Sequence, residues 1–117
     1  QSKDKKMAAL NVFRTVTADL TTEEKLLYSA PRGKTAIFLS IQATNISSNT
    51  AAVSFYHVGT DGNKTALAAG FRVPAGDALA VISPGSKLVL ETNQSVSSFA
   101  AANNTVQLIL GILESAN

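Results

Sequence analysis

Each of the three prolines in this chain is followed within two residues by a glycine: Pro31-Arg32-Gly33, Pro74-Ala75-Gly76 and Pro84-Gly85. Proline presets φ near −65° and glycine reaches φ > 0, so these steps are turns, and helices have no use for them. Asp61-Gly62 adds a hairpin signal and Asn103-Asn104 a further polar turn. Between the turns, apolar residues alternate with polar ones. Ile37, Leu39, Ile41 and Ala43 share one parity against Phe38, Ser40, Gln42 and Thr44. The stretch Leu26–Asn45 around Pro31 and Gly33 therefore reads as strand, tight turn, strand, and the chain is organised about that hairpin.

The same reading runs the length of the chain. Strands are expected over Met7–Ala18, Ala51–Val58, Thr65–Val73 with a bulge at Gly70, Ala78–Ile82, Lys87–Thr92, Ser95–Ala101 and Thr105–Leu113. Thr21 with Glu24 three residues on has the form of a helix cap, but no helical apolar run follows, so Asp19–Glu24 is read as a loop. Strand signals recur at about the 8–12-residue spacing of a sandwich or barrel, and no segment carries a 3.6 period. The expected fold is all-β: one antiparallel β-sandwich or jelly-roll-like domain of eight to nine short strands over residues 8–117, preceded by a flexible basic arm at residues 1–7. A length of 117 residues suits one domain with a self-sufficient core.

Two strands carry apolar residues on both parities. Ile109 and Leu113 oppose the Val106, Leu108, Leu110 and Ile112 face, and Phe38 opposes Ile37 and Leu39. A free sandwich strand shows water a polar outer face. Phe38, Ile109 and Leu113 are therefore expected interface residues, covered by another segment of the chain or by another subunit.

Composition narrows the function classes. The chain has no cysteine, which excludes disulfides and thiolate metal sites, and its single histidine, His57, cannot build a multi-histidine zinc site. Charged residues make up only 15% and net charge is +2, too little for a nucleic-acid stripe. Three lysines, Lys3, Lys5 and Lys6, cluster in the N-terminal KDKK stretch, and are expected to order against an acidic partner surface. No apolar run reaches the ~18 residues of a membrane span. Gly33-Lys34-Thr35 echoes the end of a phosphate-binding loop, but Tyr28 stands where that motif needs its first glycine, and a strand follows instead of a helix. Asp61-Gly62-Asn63 fails the calcium-loop pattern, because Thr65 and Leu67 stand at donor positions. No catalytic, cofactor or metal site emerges, and no enzyme is expected. The absence of tryptophan weakens a sugar-binding or single-strand-stacking platform.

The motifs Tyr28–Ala36 (YSAPRGKTA), Val73–Asp77 (VPAGD), Gly85–Glu91 (GSKLVLE) and Leu108–Glu114 (LILGILE) resemble a group of small proteins encoded among tailed-bacteriophage structural genes. The match extends over most of the chain from about Leu10. The resemblance implies a virion structural protein without catalytic residues, assembled in the host cytoplasm. Capsid decoration or cement is the role it favours, ahead of a neck or tail accessory or a fibre-borne carbohydrate- or receptor-binding module. It further implies a homo-oligomer, with a trimer favoured, and the major capsid protein or neck and tail proteins as partners.

Overall fold

A computed structural model describes residues 11–82 and 85–116. Those residues form nine strands: β1 (Asn11–Asp19), β2 (Lys25–Ser29), β3 (Lys34–Asn45), β4 (Ala51–Val58), β5 (Lys64–Val73), β6 (Ala78–Ala80), β7 (Leu88–Leu90), β8 (Ser95–Ala100) and β9 (Val106–Ala116). One sheet has the order β1-β9-β3-β6, with β7 on the same edge of β3 as β6, and the other has the order β2-β8-β4-β5. Every pairing is antiparallel.

The order has a simple origin. β7 lies opposite Ala36–Phe38 and β6 opposite Gln42–Thr44, so the two are one interrupted strand along β3. Counted that way, the first strand pairs with the last, the second with the last but one, and so inward to the β4–β5 hairpin. This is one long hairpin folded over on itself, the jelly roll. The β4–β5 tip is closed by Gly59 N–H on the Asn63 carbonyl and Gly62 N–H on the Gly59 carbonyl, each 2.9 Å. Gly62 sits at φ 86°, the left-handed residue that a three-residue hairpin loop needs.

Two expectations are corrected. The Pro31–Lys34 turn joins no hairpin, because β2 belongs to the four-stranded sheet and β3 to the five-stranded one. The turn is tight, with Lys34 N–H on the Pro31 carbonyl at 3.0 Å and Gly33 at φ 78°, but it carries the chain across the sandwich. Nor does β3 hold one parity. Its register against β9 shifts between Phe38 and Ser40. A bulge there turns the inward face from the even positions, Ala36 and Phe38, to the odd ones, Ile41, Ala43 and Asn45, leaving Leu39 and Ser40 both exposed. The break between β6 and β7 falls opposite this bulge.

The core lies between the sheets. Phe38 and Phe55 are its largest apolar side chains, joined by Ile41, Leu90, Leu110 and Ile112. Gly70, at φ 62°, marks the expected bulge in β5, where its N–H is bonded by Ser54 Oγ at 2.9 Å.

Candidate interface

Strand register sorts the outer face of the five-stranded sheet into rows. Phe13 faces Leu113, Leu113 faces Ile37, and Ile37 faces Val89. These four side chains make one apolar row across β1, β9, β3 and β7. The next rows are Thr15, Gly111 and Ser40, then Thr17, Ile109 and Gln42, then Asp19, Gln107 and Thr44. Phe13 is 73% exposed, Val89 50%, Ile109 46% and the bulged Leu39 43%, so no part of the described chain covers this face. Ile37 and Leu113 are half-buried by their row neighbours. Shallow depressions lie at either end of the face, one at Thr17, Asp19, Thr44 and Gln107, the other at Thr35, Val89 and Glu91.

The residues expected at an interface fall in three places. Ile109 and Leu113 lie on this outer face, because β9 runs without a bulge and its parity holds to the end. Phe38 does not. It is fully buried on the inner side of the bulge, with the Tyr28 ring edge-on at 5.6 Å. Its second apolar parity marks a core residue. Lys3, Lys5 and Lys6 lie outside the described residues. Phe13 and Val89, the most exposed members of the row, escaped sequence reasoning. Their signal was faint: one apolar residue per strand on an otherwise polar parity.

On the inner side, β9 carries a charge. Glu114 is 2% exposed and receives the Tyr28 hydroxyl on Oε2, while Arg14 Nε lies 2.8 Å and Lys34 Nζ 3.9 Å from Oε1. The carboxylate thus ties β9 and β1 to β2 across the sandwich corner. Burial pushes its pKa up, but the Tyr28 hydrogen bond and the Arg14 guanidinium outweigh burial and hold it below the ordinary value of 4.5. Burial, then the carboxylate beside it, push the Tyr28 phenol well above its usual range, which keeps it a donor. A carboxylate so held is a structural clamp and is poorly placed to transfer protons.

Glu24 is a second clamp, on the outer side of the four-stranded sheet. It accepts from Lys64 Nζ at 2.6 Å and Ser97 Oγ at 2.5 Å, and the Lys64 hydrogen bond holds its pKa below 4.5. Lys64 also stands 5.7 Å over the Tyr56 ring, which stacks on Phe99 at 6.2 Å. His57 Nε2 donates to Gln94 Oε1 at 3.2 Å, an oxygen that already accepts the Glu91 N–H. Among the described residues, its side-chain partner is this amide and not the carboxylate that a general base would use. Among the described residues, no group of three or more His, Asp or Glu could hold a metal.

The clamps set the acid limit of the fold. Both carboxyls titrate lower when folded than unfolded, so their stabilisation is complete above about pH 4.5 and is lost as pH falls through the folded values. Glu114 dominates, since Glu24 is partly solvated. Glu114→Gln is expected to cost about 1–3 kcal/mol at pH 7, below the about 3–5 of a fully buried broken pair because Arg14 and Lys34 are partly solvated. Thermal melts at a series of pH values check it. The wild type should lose melting temperature steeply below about pH 4.5, and the variant should show a flatter slope.

No family model and no curated protein matches this chain. Several solved structures share its fold. A subunit of the Bacillus endospore appendages, a family of disulfide-linked pili, superposes with TM-score 0.55 at 9% identity, over 92% of this chain and 87% of the other. The Drosophila NLP core, a structure concerned with pentamer formation and histone binding, gives 0.54 at 12% identity over 92% and 98%. A chain of the acid-stable capsid of Helicobacter pylori bacteriophage KHP30 gives 0.53 at 13% identity over 91% and 87%. The likeness is one of fold: all are similar to this jelly-roll chain along nearly their whole length.

Proposed function

We propose that this chain is a non-enzymatic structural component of a tailed-bacteriophage virion, a capsid decoration or cement protein that binds and stabilises the particle as a homo-oligomer. The observation that carries the reading is the apolar row Phe13–Leu113–Ile37–Val89 on a jelly-roll sheet, which none of the described residues covers. An isolated molecule gains nothing from such a row, whereas a subunit in a repeating array buries it. Fold likeness adds support, since the Bacillus pili, the Drosophila NLP pentamer and the phage KHP30 capsid are all assemblies of repeated subunits. The sequence resemblance to phage structural proteins points to the last of these. Disulfide linkage, as in the Bacillus pili, is closed to these 117 residues, which contain no cysteine. Cohesion must then come from packed surfaces. A trimer is the closed order implied by the resemblance, with the major capsid protein as the partner.

Quantitative mass spectrometry of virions purified from the source lysate tests this. The chain is expected in the particle band at a copy number that scales with the major capsid protein. A small fixed copy number would move it to the neck or tail. Absence from washed particles, with the chain abundant in the soluble fraction, would remove it from the virion.

A further inference from the structure

The oligomeric part of that reading can be carried to a particular surface. We infer that the outer face of the five-stranded sheet is self-complementary, and that a second copy of this chain docks on it face to face about a two-fold axis.

Three observations select a second copy. The first is charge. Across the face the exposed groups are hydroxyls, amides and apolar side chains, from Thr15, Thr17 and Ser40 to Gln42 and Gln107, with Thr44 half-buried among them. Among the described residues, charges stand only at its rim, at Asp19 on one corner and at Lys87 and Glu91 on either side of β7. A face with no net field in its middle meets its own copy without like-charge repulsion. An apolar centre with a charged rim is also the usual anatomy of an interface.

The second is symmetry. The apolar row spans the sheet from β1 to β7 with Leu113 and Ile37 at its middle. A two-fold axis parallel to the strands and passing between Leu113 and Ile37 lays row on row. Phe13 of each copy then meets Val89 of the other, and the hydroxyl and amide rows likewise face each other.

The third is area. β1 and β9 pair over nine residues, about 30 Å at ~3.4 Å per residue, and four strands at ~4.8 Å give about 19 Å. Each copy thus offers about 570 Å², or about 1,100 Å² for the pair, which clears the about 1,000 Å² expected of a specific contact. Pairing two by two makes the assembly an even multiple of 12.2 kDa: a dimer, or two trimers back to back.

Native mass spectrometry of the full chain, across a range of protein concentrations, tests the inference. The wild type should weigh an even multiple of the chain mass. Phe13→Asp, Val89→Asp and the milder Phe13→Thr/Val89→Thr double variant should each halve it. These are exposed strand positions, so circular dichroism should stay native. Leu26→Asp, at a residue 59% exposed on β2 of the other sheet, should leave the mass unchanged. A lone trimer, or folded variants of undiminished mass, would overturn the face-to-face pairing and leave the homo-oligomeric reading standing. A monomer at every concentration would overturn both.

Discussion

Phe38→Ala is expected to destabilise the protein by about 3–5 kcal/mol, while Leu39→Ala next to it should cost under about 1. Phe38 is fully buried between the sheets and packs edge-on against Tyr28; Leu39 is 43% exposed at the bulge. Truncation at Phe38 removes a phenyl group's worth of transfer free energy and leaves a cavity that two hydrogen-bonded sheets cannot close. The total stability of a domain this size is of the order of 5–15 kcal/mol, so the variant stands close to unfolding. Chemical denaturation of the two variants side by side measures the contrast. The pair also tests the parity switch: an alternation that kept Ile41 and Ala43 inward without a break would bury Leu39 and expose Phe38, reversing the two effects.

The second large effect is expected at Asn45, a polar residue with no exposure at all. Its Nδ2 donates to the Asn49 carbonyl at 2.7 Å and the Val73 carbonyl at 2.9 Å. Its Oδ1 accepts the Ser47 N–H at 2.9 Å and the Ser47 hydroxyl at 2.7 Å. All four of its hydrogen-bonding positions are thus used, and they hold the β3–β4 loop to the end of β5. Asn45→Leu conserves volume but orphans those groups, at about 1–3 kcal/mol for each one that water cannot reach. A net loss of about 2–4 kcal/mol is expected, read from the denaturation midpoint. Asn45→Asp should be worse, because it removes both donors and buries a charge. A loss below about 0.5 kcal/mol for Asn45→Leu would mean that the loop is held by other contacts.

What the sequence disclosed and what it hid follow from the range of the interactions. Turns are local. Pro31 with Gly33, Pro74 with Gly76 and Asp61-Gly62 marked chain reversals, and positive φ values at Gly33, Gly62 and Gly76 are where those reversals occur. Strand spacing and the all-β class followed directly. The bulge at Leu39 and Ser40 was not legible. Nothing in Phe-Leu-Ser-Ile distinguishes a strand that keeps its parity from one that switches, because the switch is set by register against β9, some seventy residues away. The same limit misread the Pro31 turn as a hairpin. A tight reversal shows that the chain turns, and leaves open whether the next strand joins the same sheet.

The interface row is non-local in the extreme. Phe13 and Leu113 are directly opposed, yet a hundred residues separate them. Ile109 and Leu113 were legible because β9 alternates without interruption. Phe13 and Val89 were hidden until the register aligned them. Glu114 was hidden for a related reason. A carboxylate near the end of an apolar strand reads as the point where burial stops. β9 in fact continues to Ala116, because two other strands provide for the carboxylate in place, Tyr28 with a hydrogen bond and Arg14 with the opposite charge.

A reconstruction of the assembled protein, free or on its particle, looks at the outer sheet face itself. Phe13, Ile37, Val89 and Leu113 should be found packed against another polypeptide chain, with Thr15, Ser40 and Ile109 within the same contact. An assembly whose copies meet through other surfaces, with that row facing open solvent in every copy, would contradict the account.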